Sequence, residues 1–279
     1  MKYFIDPTVD CVFKAILGME GNEDLLVHFL NCILMPMIPI VSVTIINPYN
    51  EKTFLDDKLS IVDIKAINEQ GVKYQIEVQI ATPKSLPKRM LYTWSDIYQT
   101  QIKTGTNYSQ LQPVISIWLL TNTFFHEDTK PHHHFQVWDR DNDLLLTDNC
   151  SIHVFELAKW QHPDTLQAND FWLYFFKEGK NWKELPKSLF NVPQLRLAMK
   201  TLEQFSEREA EYHLYQSRQD AIRVQLTQEA EFEEERALRE QAEIRADKAE
   251  TAAKNETARA DAAEAQLKAL LAKTGKTPD

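Results

Sequence analysis

Cysteine is scarce in this chain: Cys11, Cys32 and Cys150 are the only three, far apart and with no CxxC pair. That spacing excludes a disulfide framework and a thiolate zinc site, and leaves three reduced, mostly buried thiols as the expectation. Long apolar runs are missing as well. No stretch approaches the roughly 20 residues that a membrane span needs. The opening MKYFIDPTVD is too acidic and too short in apolar content for a signal peptide, so a cytoplasmic address with no membrane partner is expected. Positive charge is in deficit, with 31 Lys and Arg against 41 Asp and Glu and a formal net charge of −10. This excludes a general nucleic-acid coat, because phosphate contacts come from lysine and arginine, but it does not exclude one local basic surface.

What is present suffices for a globular protein. At 279 residues and 43% hydrophobic, the chain can bury a sizeable core in one main domain and still carry an appendage. Val9, Phe13, Ile16 and Leu17 at helical spacing, with Thr8 as a candidate N-cap and Gly18 as the stop, predict a short helix. A second helix is predicted over 22–34, ending before Pro36. VSVTII from Val41 is β-branched and predicts a strand, followed by turn chemistry at Asn47 to Asn50. KLSIVDIKAI and KYQIEVQI then flank the turn Asn68 to Gly71, which predicts a hairpin.

Met90, Leu91, Trp94, Ile97 and Tyr98 set a helix over 86–103, and PVISIWLL after Leu111 reads as a central strand covered on both faces. Further strands are expected at HFQVW and SIHVFEL, and a buried helix at FWLYFFKEG, whereas Pro131-His132-His133-His134 reads as a loop. Adjacent histidines have no recognised zinc spacing.

Beyond about Gln194 the pattern is helical, and from Thr227 it is rich in alanine and charge, with no proline or glycine until Gly275. A main domain over 1–204 and a helical extension over 205–279 are the expected division. Ala230, Ala237, Ile244, Thr251, Ala258, Ala265 and Ala272 recur every seven residues, but Glu234, Gln241, Lys248 and Asn255 spoil the second half of the seam. A homo-oligomer through a weak coiled coil and a solvated single helix both remain open.

The chemistry-bearing residues fall in the hairpin. Strand alternation puts Asp63 and Lys65 on one face, and Gln75, Glu77 and Gln79 on one face of the next strand. Side by side, Asp63 and Glu77 would repel unless a cation lay between them, and a magnesium ion suits the need because it takes hard oxygen ligands and commonly only one or two protein carboxylates. The bland alternative is an exposed polar sheet face with ordinary ion pairs to Lys65 or Lys73.

This arrangement resembles the PD-(D/E)XK nucleases, and more narrowly the recombination-promoting nuclease and transposase family. The resemblance runs through DPTVDCVFKAIL, LDDKLSIVDIKA, YQIEVQI, KRMLYTWSDIY, TGTNYSQLQPVISIWLL and IHVFELAKW, with a D-x13-ExQ core at Asp63, Glu77 and Gln79. It implies an α/β fold with a restriction-endonuclease-like αβββαβ core, a mixed central sheet flanked by helices, plus the long C-terminal helix. It also implies a DNA endonuclease linked to recombination or mobile elements, dependent on Mg2+ or another divalent cation held by Asp63, Glu77 and the carbonyl of Val78.

The family pattern ends in lysine where this chain has Gln79, and an amide is neither cation nor general base. Gln79 is therefore expected to orient water, with Lys65, or Lys58 before that strand, supplying positive charge. Asp10 is a candidate outer carboxylate. Lys84, Lys88 and Arg89 are either DNA-phosphate contacts or solvated loop charge, and Arg89, Tyr92 and Tyr98 either face a cleft or pack on the sheet. The rival function is a catalytically inactive nuclease-fold protein that binds DNA or drives assembly. No helix-turn-helix is apparent.

Overall fold

A computed structural model describes residues 1–46, 63–102 and 107–274. In chain order the helices are α1 (Asp10–Leu17), α2 (Glu23–Leu34), α3 (Leu86–Gln99), α4 (Ala168–Glu178), α5 (Pro193–Glu207) and α6 (Glu209–Thr274). The strands are β1 (Val43–Ile45), β2 (Asp63–Asn68), β3 (Lys73–Gln79), β4 (Val114–Leu120), β5 (His132–Phe135), β6 (Trp138–Asp139), β7 (Leu144–Leu145) and β8 (Cys150–Glu156). Six strands form a mixed sheet in the order β1-β2-β3-β4-β8-β5, and β6 and β7 pair separately. The fold is α/β, with the sheet flanked by helices and a long helix at the C-terminal side, as the sequence predicts.

Local chemistry accounts for the hairpin. Asn68 accepts the amides of Gln70 and Val72 on its side chain at 3.1 and 2.9 Å, and Gly71 takes a positive φ of 84°, which an L side chain rarely adopts. The turn thus fixes an antiparallel register in which Asp63 lies opposite Glu77 and Lys65 opposite Gln75. β3 and β4 are parallel, which requires a crossover, and α3 provides it.

The two faces of the sheet are covered by different layers. Ile64, Ala66, Tyr74, Ile76, Ile117 and Leu119 join the main core with α1, α2, α4 and α5. On the other face Trp118, Leu120, Ile152 and Val154 pack beneath Leu86 and Met90 of α3. That roof overturns the reading of an exposed polar sheet face: Gln75 and Glu77 are fully buried. The sheet alternation is as expected, but a helix covers its polar side.

Other expectations shift in detail. α1 begins at Asp10, with Val9 rather than Thr8 at its N-cap, and Thr8 instead bonds Asp6 through both its amide and its hydroxyl. The histidine run is a strand, not a loop, because all four residues of β5 pair antiparallel with β8. The three cysteines are free and buried. Among the described residues no helix is long and apolar enough to cross a membrane.

The chain divides into two compact units, Met1–Val224 and Gln225–Asp279. Phe205, Ser206 and Tyr215 are buried in the first. The side chains of the second unit are exposed through Leu270 except for a partly buried Glu229, with i,i+4 ion pairs such as Arg239–Glu235 at 2.6 Å and Lys268–Glu264 at 3.0 Å.

Candidate active site

Strand β3 delivers three polar side chains to the α3-covered face, and Glu77 is the centre of what they build. Its Oε1 accepts Gln79 Nε2 at 2.5 Å and also the guanidinium of Arg89, while Oε2 takes a longer 3.4 Å contact from Gln75 Nε2. Arg89 NH1 reaches Gln79 Oε1 at 3.3 Å, and its guanidinium lies 5.6 Å from the centre of the Trp118 ring. Behind these groups Gln75 Oε1 accepts Ser116 Oγ at 2.9 Å, and Ser116 in turn accepts Trp118 Nε1 at 2.8 Å. A carboxylate taken fully out of water is costly unless it is paired and hydrogen-bonded, and here both conditions hold.

The parallel register explains why this set is contiguous. Gln75 is opposite Ser116, Glu77 opposite Trp118 and Gln79 opposite Leu120, so all six residues lie on one face of two adjacent strands. The polar part sits where the apolar β4 pattern is interrupted by Ser116.

Sequence-predicted residues are distributed unevenly around this centre. Asp63 is placed by its register opposite Glu77, and Lys65 lies one pair further along the same face, half-buried. Gln79 touches Glu77 as well as its own neighbour's carbonyl, Val78 O, at 3.1 Å. Lys84 and Lys88 are exposed just before and within the first turn of α3. Arg89 is neither a loop charge nor a purely solvent-facing group, since it turns inward onto Glu77. Lys58 lies outside the described residues.

Asp10 faces elsewhere, with Oδ1 accepting its neighbour's amide and Oδ2 3.5 Å from Arg218 Nε. Tyr92 is exposed, whereas Tyr98 stacks on Trp94 and accepts Asn149 Nδ2 at 3.0 Å. Gln75, Ser116 and Trp118 were not singled out as a connected set by sequence reasoning. The polar serine inside an otherwise apolar strand was the available signal.

The donor chemistry fits a hard divalent cation. Glu77 brings a carboxylate and Val78 O a carbonyl oxygen, both hard donors of the kind magnesium takes while retaining water, and Asp63 lies opposite Glu77 in the strand register. Among the described residues no three His, Cys, Asp or Glu side chains converge as a metal cluster.

Two further polar clusters lie on β5 and β8. Glu156, at the end of β8 and buried, accepts Phe124 N at 2.5 Å, Phe125 N at 3.0 Å and Lys159 Nζ at 2.7 Å, with His133 Nε2 at 3.1 Å. Burial alone would raise its pKa, but the Lys159 ammonium and the two amides hold it below the ordinary carboxylate range. On the opposite face His132 Nε2 is 3.0 Å from His153 Nδ1, and Ser151 Oγ lies 2.8 Å from His134 Nε2 and 3.0 Å from His153 Nε2. Burial and the neighbouring rings lower His153 to about 3 and His132 to about 4.

The family model of the PD-(D/E)XK nuclease family transposases matches residues 7–231. Comparison with curated proteins and with solved structures gave no match. The matched span takes in α1, the whole sheet, α3 and the Glu77 network, and on that ground the chain belongs to the PD-(D/E)XK nuclease family transposases.

Proposed function

We propose that this protein is a metal-dependent DNA endonuclease that hydrolyses phosphodiester bonds and serves the movement or recombination of DNA. The observation that carries the reading is the register of Asp63 with Glu77, joined to a Glu77 carboxylate that is buried and hydrogen-bonded by the side chains of Gln79 and Arg89. A bound magnesium ion would lower the pKa of a water and stabilise charge on phosphorus-bound oxygens. The chain's own groups do the rest. Asp63, Glu77 and Val78 O supply the oxygen donors, Gln79 orients the attacking water through its amide, and Lys65 adds positive charge on the same sheet face. Lys84 and Lys88 offer exposed ammonium groups for the DNA backbone, which positions the strand without reading its sequence.

Purified protein incubated with supercoiled plasmid tests this directly. Cleavage in magnesium that stops in chelator supports the enzyme, and binding without cleavage in magnesium, manganese or calcium supports the rival reading of an inactive DNA-binding or assembly protein. Gln79, in place of the family lysine, is the residue that favours that rival. The helical unit beyond Gln225 is proposed as an assembly or DNA-retention element, because its exposed surface is apolar only at scattered positions such as Phe232, Leu238 and Leu267. Removing residues after Thr227 should leave cooperative unfolding of the remaining chain intact.

A further inference from the structure

We infer that Arg89 is an exchangeable cation in this site: it neutralises Glu77 while no metal is bound and must leave Glu77 Oε1 when a divalent ion arrives. The inference rests on the metal-dependent reading above. Glu77 Oε1 already accepts both Gln79 Nε2 and the Arg89 guanidinium, and the Gln75 contact on Oε2 is longer. A metal ion that takes Oε1 competes with the guanidinium there, because two cations on one carboxylate oxygen repel each other. One of them has to move.

Arg89 is built to be the one that does. Its side chain is 34% exposed while that of Glu77 is fully buried, so the guanidinium can turn outward without opening the core. Its backbone is fixed independently, since Thr93 Oγ1 donates to Arg89 O at 2.9 Å and Arg89 N donates to Ser85 O at 3.2 Å. The exposed neighbours Lys84 and Lys88 make the outward side basic, where a DNA phosphate would gather. The part of the guanidinium is charge and geometry, through donors in a fixed fork. It thereby supplies the positive group that Gln79 cannot. Arg89 is a positioning residue for Glu77 in the metal-free protein and a phosphate partner once released.

Calorimetric titration of the full chain with magnesium chloride alone, with no DNA, tests the exchange, and cleavage is measured separately. Arg89→Gln removes the charge but keeps an amide donor, and Arg89→Lys keeps the charge with a single-point contact. Arg89→Gln is expected to bind magnesium on the order of fivefold more tightly than wild type. At saturating metal it should cut DNA at least about tenfold more slowly. Arg89→Lys should return both values most of the way towards wild type. A purely structural arginine would instead weaken metal binding and cleavage together, and unchanged or weaker magnesium affinity in a folded Arg89→Gln overturns the exchange. If wild type itself neither binds magnesium or manganese nor cleaves, the nuclease reading falls with it. If wild type does both and only the affinity gain is missing, the nuclease reading stands alone.

Discussion

Two glutamates lie buried at the ends of parallel strands on the same sheet face, and they are held in opposite ways. Glu156 on β8 is fixed by two backbone amides, Phe124 N and Phe125 N, together with Lys159, which is itself almost fully buried. Among the described contacts of Glu77 on β3, the donors are the side chains of Gln75, Gln79 and a half-exposed Arg89. Backbone donors cannot leave without unfolding the loop that carries them, whereas side-chain donors can rotate away. A buried carboxylate thus reads as a structural lock or as a reactive group according to what surrounds it, not according to its burial.

The sharpest break of the comparison is loss of each carboxylate in turn, read by two assays. Glu77→Ala and Asp63→Ala should each lower plasmid cleavage in magnesium by on the order of a thousandfold, because the pair acts as one unit. Stability should fall little for Glu77→Ala, by about 1 kcal/mol, since Arg89 can turn into solvent. Normal cleavage by both folded variants would remove this pair from the site.

Glu156→Ala should do the reverse. Two partly buried amides lose their acceptor and Lys159 loses its closest carboxylate, keeping Phe125 O and Asp128, the latter at 3.5 Å. The cost is about 3 kcal/mol or more. Denaturant melts should therefore show a large drop, with magnesium affinity unchanged. If Glu156→Ala melts like wild type, the lock assignment is wrong.

The hairpin and its register were legible in the sequence because a period of two and a glycine turn fix which residues share a face. Burial of Glu77 was not legible. Alternation says which side a residue takes but not what covers that side, and the cover comes from Leu86 and Met90 of α3. The same limit left Arg89 open between a cleft-facing residue, a helix face packed on the sheet and part of a basic stretch, and only the partner on the sheet, Glu77, decides it. Glu156 gave no signal at all, since its amide partners lie more than 30 residues earlier in the chain. The histidine strand was missed for a related reason: three polar residues carry no alternation of their own, and pairing with β8 supplies it.

Acid should expose the structural half of the comparison before the reactive half. His153 and His132 have folded pKa values of about 3 and about 4 against an ordinary 6.5, so their neutral forms contribute stability above pH 6.5 that is lost as pH falls towards those values. Glu156 is also depressed, so its contribution is full above its ordinary 4.5 and is lost as pH drops through its lower folded value. Denaturant melts should weaken first between about pH 6.5 and 4, and again below about 4.5. His153→Gln should flatten the upper window and Glu156→Gln the lower one. A wild-type profile level from pH 7 to 4 would contradict the histidine assignment, and one that does not fall further below about pH 4.5 would contradict that of Glu156.

The smallest effect is expected at Gln79, and it sharpens the meaning of the reactive half. Gln79→Lys restores the family's motif residue beside Glu77, but Arg89 already brings a positive charge there, so cleavage should change by no more than about threefold. The added ammonium also loses the 3.3 Å acceptor that Gln79 Oε1 offers Arg89, which pushes the guanidinium outward. In an Arg89→Gln background the same lysine meets no rival cation. There it should recover much of the lost rate, because the site needs one positive group near Glu77 and not a particular side chain. Single-turnover cleavage over a magnesium series would separate that recovery from any change in metal affinity. If Gln79→Lys fails to improve the Arg89→Gln protein, the positive charge beside Glu77 is not what the rate depends on, and Lys65 becomes the residue to vary next.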